Sequence, residues 1–127
     1  MTFTGLLAVG AGAAIGAWLR WWLSAALNPL LPSLPLGTLA ANLVGGYLIG
    51  VAFAAFAHFQ ALAPETRLFV VTGFLGGLTT FSTFSAETAE LLGRAQYGWT
   101  AALLLAHVAG SVAMTFAGMA TFRLAVS

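Results

Sequence analysis

Apolar residues run along this chain in four long blocks, separated by short stretches that carry polar residues and prolines. A helix crosses the hydrocarbon core of a bilayer with about 20 apolar residues, and each block reaches that length. The blocks predict helices over about residues 3–27, 36–57, 67–92 and 99–122. The first holds one charge, Arg20, and stops at Asn28-Pro29, with Pro32 and Pro35 behind it. Proline disfavours helix at the residue before it. The second block carries no charge. His58 to Glu65, with Pro64, forms the next turn, and Arg94 to Gly98 the last. Turns this short make neighbouring helices antiparallel and bring both chain ends to one side. The pattern predicts a single all-α, four-helix transmembrane domain over residues 1–127, without linker or internal repeat.

Composition strengthens this reading. Of 127 residues, 61% are apolar and 6% charged, against roughly 25% charged in soluble domains. The charged residues are Arg20, Arg67, Arg94, Arg123, Glu65, Glu87 and Glu90. With no cysteine, disulfides, thiolate metal sites and a cysteine nucleophile are excluded. A net charge of +1 supplies no basic patch for nucleic acid. Met1-Thr2-Phe3-Thr4 lacks the positive leader of a secretory signal, and the apolar block runs past signal-peptide length, so it reads as a retained helix.

Arginines and lysines in short loops set the orientation of a membrane protein. Arg67 and Arg123 fall toward one face, Arg20 and Arg94 toward the other, and no lysine tips the balance. A balanced chain has no strong reason to choose one orientation, although a small protein with few charges also ties by chance. Insertion both ways would permit an antiparallel homodimer about a two-fold axis in the membrane plane, the symmetry of inverted-repeat transporters.

Small residues recur at four-residue spacing: Gly12 and Gly16, then Asn42, Gly46 and Gly50, with Gly110 and Gly118 two turns apart. Such rows let helices approach closely in lipid. The third block is different. It contains Gly73-Phe74-Leu75-Gly76-Gly77-Leu78-Thr79-Thr80-Phe81-Ser82-Thr83-Phe84-Ser85, a poor helix interior whose residues 76 to 80 lie near mid-span. Broken backbone at that depth is tolerated only where it is buried in protein or lines a cavity. Freed carbonyls there suit a hard cation such as Na⁺, and in an antiparallel pair two breaks would meet at the axis. The other reading is a continuous helix whose hydroxyls bond back to the preceding turn.

Phe81 and Phe84 share a face. They are either ordinary core or two positive ring edges offered to a small anion. Asn42 is the one amide inside a block, with an NH₂ able to donate to an anion; polar groups at membrane depth usually face the bundle interior. His107, Ser111 and Thr115 form a stripe that serves either as interhelical glue or as a donor-lined path. Spacing leaves the role of Glu87 open. With no nucleophile–base pair and no metal-ligand cluster, the sequence does not read as an enzyme.

The run Gly76-Gly77-Leu78-Thr79-Thr80-Phe81-Ser82-Thr83-Phe84-Ser85 resembles the bacterial fluoride channels of the Fluc (CrcB) family. Gly12-Ala13-Ala14-Ile15-Gly16-Ala17-Trp18-Leu19-Arg20 and Gly37-Thr38-Leu39-Ala40-Ala41-Asn42-Leu43-Val44-Gly45-Gly46 add to it in the family's order, so the match covers essentially the whole chain. The resemblance implies a dual-topology antiparallel homodimer in the bacterial inner membrane, with two antiparallel pores. It implies passive export of F⁻ from the cytoplasm, exclusion of larger halides, and resistance to fluoride. Phe81 and Phe84 would line the path with Ser82 and Thr83 beside them, Asn42 would be a polar pore residue, and Ser111, Thr115 and His107 would form a polar track. The family often has a hydroxyl where this chain has His107. Backbone carbonyls of Gly76 and Thr79 would hold a structural Na⁺ at the dimer interface. Arg20 would stand at the vestibule, where its charge raises local anion concentration. Fluoride is strongly hydrated, and weak successive neutral sites allow both entry and release.

Two rivals fit the same outline. A small dual-topology, proton-coupled multidrug exporter needs a membrane-embedded carboxylate, ideally on the first helix, where only Arg20 is present. An accessory membrane subunit would use the small-residue rows purely as glue.

Overall fold

The computed structural model describes residues 1–127 and is helical throughout, with four spans long and apolar enough to cross a membrane: Phe3–Leu30, Leu36–His58, Pro64–Gly93 and Tyr97–Val126. The shortest, at 23 residues, is about 35 Å long at 1.5 Å per residue, which exceeds a hydrocarbon core of about 30 Å. Only 20 of 127 residues are buried, while Trp18, Trp21, Trp22 and Phe53 are exposed. That distribution suits lipid rather than water as the solvent. The protein is a multi-pass membrane protein.

Helix α1 is Phe3–Leu27, started by Thr2, whose hydroxyl accepts from the Gly5 N–H at 2.9 Å. A short 3₁₀ turn, Asn28–Leu30, ends it. Helix α2, Leu36–His58, begins after Pro35 with no cap of its own. Asn28 supplies one from across the loop: its Oδ1 accepts from the N–H groups of Gly37 at 2.7 Å and Thr38 at 3.1 Å, which would otherwise be orphaned at the helix start.

The third span starts at Pro64, three residues before the expected Arg67, because proline at the first helical position loses no hydrogen bond. It runs as an α-turn (Pro64–Arg67), a wide π-helical stretch (Leu68–Leu75) and a last α-turn (Gly76–Leu78), together α3. Thr79 (φ −88°, ψ 155°) and Thr80 (φ −146°, ψ 121°) are extended. Helix then resumes as α4, Phe81–Gly93, capped by the Thr80 hydroxyl accepting from Thr83 N–H at 3.1 Å. The break thus falls on the threonines, and the glycine pair before them stays helical. Helix α5, Tyr97–Val126, begins two residues earlier than expected and continues past Arg123. An arginine near a helix C-terminus favours the dipole, and no proline or glycine stops the chain there. In the turn before α5, Ala95 takes the left-handed conformation (φ 55°). The Gln96 and Ala95 N–H groups close onto the carbonyls of Leu91 and Leu92, the Schellman arrangement more often built on glycine.

Helix α1 packs along α3, α2 along α5, and α4 against α5. Glycine permits the first two contacts. A Cβ on Gly16 would stand 2.7 Å from Leu78 N and overlap the Phe74 carbonyl, and one on Gly50 would overlap the Thr115 carbonyl. Ala41, Leu75 and Leu78 form one small core between α2 and α3, and Phe84, Leu91 and Leu103 a second between α4 and α5.

A candidate anion pathway at the helix break

Extended backbone inside a bilayer must find partners for its N–H and C=O groups, since lipid offers none. Asn42, on α2, meets that need. Its Oδ1 accepts from Thr80 N–H at 2.8 Å, and its Nδ2 donates to Thr80 O at 3.0 Å. The side chain replaces the partners that helical neighbours would have given. Thr79 closes the end of α3 itself, its N–H and hydroxyl both donating to Leu75 O, at 3.0 and 2.8 Å. On the opposite side of α3, Arg20 Nε donates to Gly77 O at 2.9 Å. These bonds use the carbonyls of Leu75, Gly77 and Thr80, and those of Gly76 and Thr79 take part in none of them.

A cleft of about 510 Å³ opens at this break. Eight of the residues singled out from sequence line it: Asn42, Gly76, Thr79, Phe81, Phe84, His107, Ser111 and Thr115. Ser82, Thr83 and Arg20 do not. Ser82 lies on the exposed side of α4, 3.4 Å from the Thr80 hydroxyl. Arg20 is held against α3 by its bond to Gly77. No Asp, Glu, Lys or Arg lines the cleft.

Phe81 and Phe84 meet edge to face, with centroids 5.6 Å apart and ring planes at 74°. Phe84 is 7% exposed and Phe81 78%, so within one chain only the former is packed. Phe84 also stacks on His107 at 4.6 Å. The stripe on α5 divides in function. Thr115 is glue: its hydroxyl donates to Gly46 O across the α2–α5 contact at 2.9 Å and to Ser111 O at 3.0 Å. Ser111 enters that network through its carbonyl alone. His107 Nδ1 lies 3.0 Å from Asn42 Nδ2. Asn42 therefore has both amide hydrogens engaged, one on Thr80 O and one on His107, which differs from the free donor expected from sequence.

A second polar network lies beside the first. The Thr38 hydroxyl donates to Glu87 Oε2 at 2.7 Å, and Asn28 Nδ2 approaches the same hydroxyl at 3.4 Å. Thr38 is fully buried, and Glu87 Oε1 is buried without a partner. From the sequence, Asn28 marked only the end of the first helix, and Thr38 carried no role in binding or charge pairing. The available signal was Glu87 itself, since a carboxyl inside a span requires nearby polar partners.

A multi-pass helical protein with a cleft free of charged side chains at a broken span is built in the manner of membrane channels and transporters. Residues 7–119 match the family model described as CrcB-like protein, Camphor Resistance (CrcB), and the chain belongs to the CrcB family. It is 64% identical over 118 residues to the fluoride-specific ion channel FluC of Nitrosospira multiformis, covering 93% of this chain and 92% of that one. It is 56% identical to the protein of the same name from Pseudomonas putida, covering 92% of each chain. Identity to that of Nitrosomonas europaea is 55%, over 91% of each. These relatives are named as channels, in line with the expectation that the chain is not an enzyme.

Proposed function

We propose that the chain is a passive fluoride-selective channel of the bacterial inner membrane, which releases F⁻ from the cytoplasm and thereby gives resistance to it. The observation that carries this reading is the cleft at the helix break, a largely apolar wall interrupted by hydroxyl, amide and imidazole groups and two phenylalanine rings, with no fixed charge. Fluoride sheds its water only against replacement donors, and a full positive charge at mid-span would hold it too tightly for release. The Ser111 hydroxyl and positive ring edges offer weak contacts instead. The identity to relatives named as fluoride-specific channels supports the choice of ion.

The working unit is a homodimer of two oppositely inserted copies with two pores. Arginines balanced between the faces support this, and so does Gly76. A Cβ there would meet nothing in its own chain closer than Val71 O at 3.8 Å, so no contact within the chain demands glycine at that lining position. Close approach of a second copy would. Phe81, mostly exposed in one chain, would then complete an aromatic rim with Phe84. The carbonyls of Gly76 and Thr79, in none of the hydrogen bonds described at the break, are hard oxygen donors of the kind Na⁺ takes, and would hold that ion between the two copies as a structural element. Arg20 would draw anions toward the entrance with the guanidinium nitrogens not used on Gly77. Glu87 is tied to Thr38 outside the cleft, which leaves the exporter reading without a carboxylate in the pathway.

Efflux from proteoliposomes of the purified protein tests this directly, with F⁻ read by an ion-selective electrode beside a chloride control. Rapid loss of F⁻ with Cl⁻ retained is expected. Liposomes that keep both ions would overturn the reading.

A further inference from the structure

Thr80 fixes more than the end of a helix. Its backbone N–H can only donate and its carbonyl can only accept, so the two bonds to Asn42, at 2.8 and 3.0 Å, leave one orientation for the amide. Oδ1 faces the N–H, and Nδ2 faces the carbonyl. The second Nδ2 hydrogen then points to His107 Nδ1, 3.0 Å away. A nitrogen that receives a hydrogen bond from an amide cannot itself carry a hydrogen in that direction. In a neutral imidazole the hydrogen must then sit on Nε2.

Nε2 is the one ring atom left over. His107 is 4% exposed, and Nε2 is buried with no hydrogen-bond partner in the chain. Phe84 covers a ring face at 4.6 Å, while the residue as a whole borders the cleft. A buried N–H without a partner is rare in native structures and signals a ligand or a moving group.

We propose that Asn42 acts as a positioning residue, locking His107 as the neutral Nε2–H tautomer so that Nε2–H is a hydrogen-bond donor to the passing anion. The inference rests on the channel reading for the identity of that anion, while the tautomer itself stands on geometry alone. Asn42, with both hydrogens engaged, acts through the ring and does not touch the ion. His107 and Ser111, one turn apart on α5, then present neutral donors in succession.

The test is ¹⁵N NMR of ring-labelled protein in liposomes at about pH 8.5, two units above an ordinary histidine. Without fluoride, the ring of His107 should show a protonated Nε2 and a bare, hydrogen-bonded Nδ1. His58 serves as the internal reference. Adding NaF should move the Nε2 resonance and leave Nδ1 nearly still. Asn42→Asp, which sets carboxylate oxygens against Nδ1, should shift the hydrogen to Nδ1. If that variant does not fold, the native spectrum decides. A ring protonated on Nδ1 overturns the lock. An Nε2 signal unmoved in liposomes that pass fluoride overturns the donor role. Failure of the channel reading would appear separately, as absent efflux from the same liposomes.

Discussion

Replacing Gly16 by alanine tests whether the α1–α3 contact sets the geometry of the break. An added Cβ would lie 2.7 Å from Leu78 N and overlap the Phe74 carbonyl. Ordinary contact begins near 3.4 Å, so the two backbones must separate by at least about 0.7 Å at that point. Both neighbours are backbone atoms in helix and cannot swing aside as a side chain would. Overpacking of this kind costs about 1–3 kcal/mol. One turn further along α1, the bond from Arg20 Nε to Gly77 O, now 2.9 Å, would stretch past useful length. A hydrogen bond to a charged group contributes roughly 1.5–3 kcal/mol, so the combined loss is about 2.5–6 kcal/mol. Gly10→Ala on the same helix is the control, because its Cβ would meet nothing within 4 Å; it should be neutral, or stabilising by up to about 1 kcal/mol through helix propensity. Unfolding of both variants in detergent, followed by heat or SDS titration and paired with fluoride efflux, gives the comparison. Equal stability and equal flux in the two would refute the claim that backbone approach at Gly16 fixes the position of α3.

Phe84→Ile removes one edge contact and one stacked contact. At about 1 kcal/mol for each aromatic pair, the two together correspond to a roughly thirtyfold fall in fluoride efflux, while chromatography still reports a folded protein. Thr38→Val leaves both Glu87 oxygens without partners and should lower stability by about 1–3 kcal/mol, with Thr38→Ser close to native in the same melting assay. Gln60→Lys combined with Ser127→Lys loads the face that carries Arg67 and Arg123; one orientation should then prevail and fluoride flux per unit protein should drop.

The limits of α1 were legible because Asn28-Pro29 ends a helix by local chemistry. The early start at Pro64 follows an equally local rule, the tolerance of proline at the first helical position, which the periodicity of apolar residues does not reveal. The break is the instructive case. Gly76 and Gly77 suggested it from composition, yet they stay helical, and Gly77 is small because the Ala13 backbone lies against it. The chain opens at Thr79 and Thr80 because an amide 38 residues away takes over the hydrogen bonds of Thr80, and such a contact leaves no periodic trace. The polar stripe His107, Ser111, Thr115 was visible by spacing. Its division into glue at Thr115 and a ring clamped at His107 depends on which α2 carbonyl or amide lies opposite, which is tertiary information. The link from Thr38 to Glu87 spans 49 residues and is hidden for the same reason.

The most direct test of the assembly uses the absence of native cysteine. A single Gln60→Cys substitution in the exposed loop after α2 can be labelled in sealed proteoliposomes with a thiol reagent that does not cross membranes, in the same preparation used for fluoride efflux. Two oppositely inserted copies should give labelling of about half the chains from outside, with the remainder labelled only after the vesicles are opened. Labelling of all chains from one side, in vesicles that still pass fluoride, would contradict the antiparallel pore.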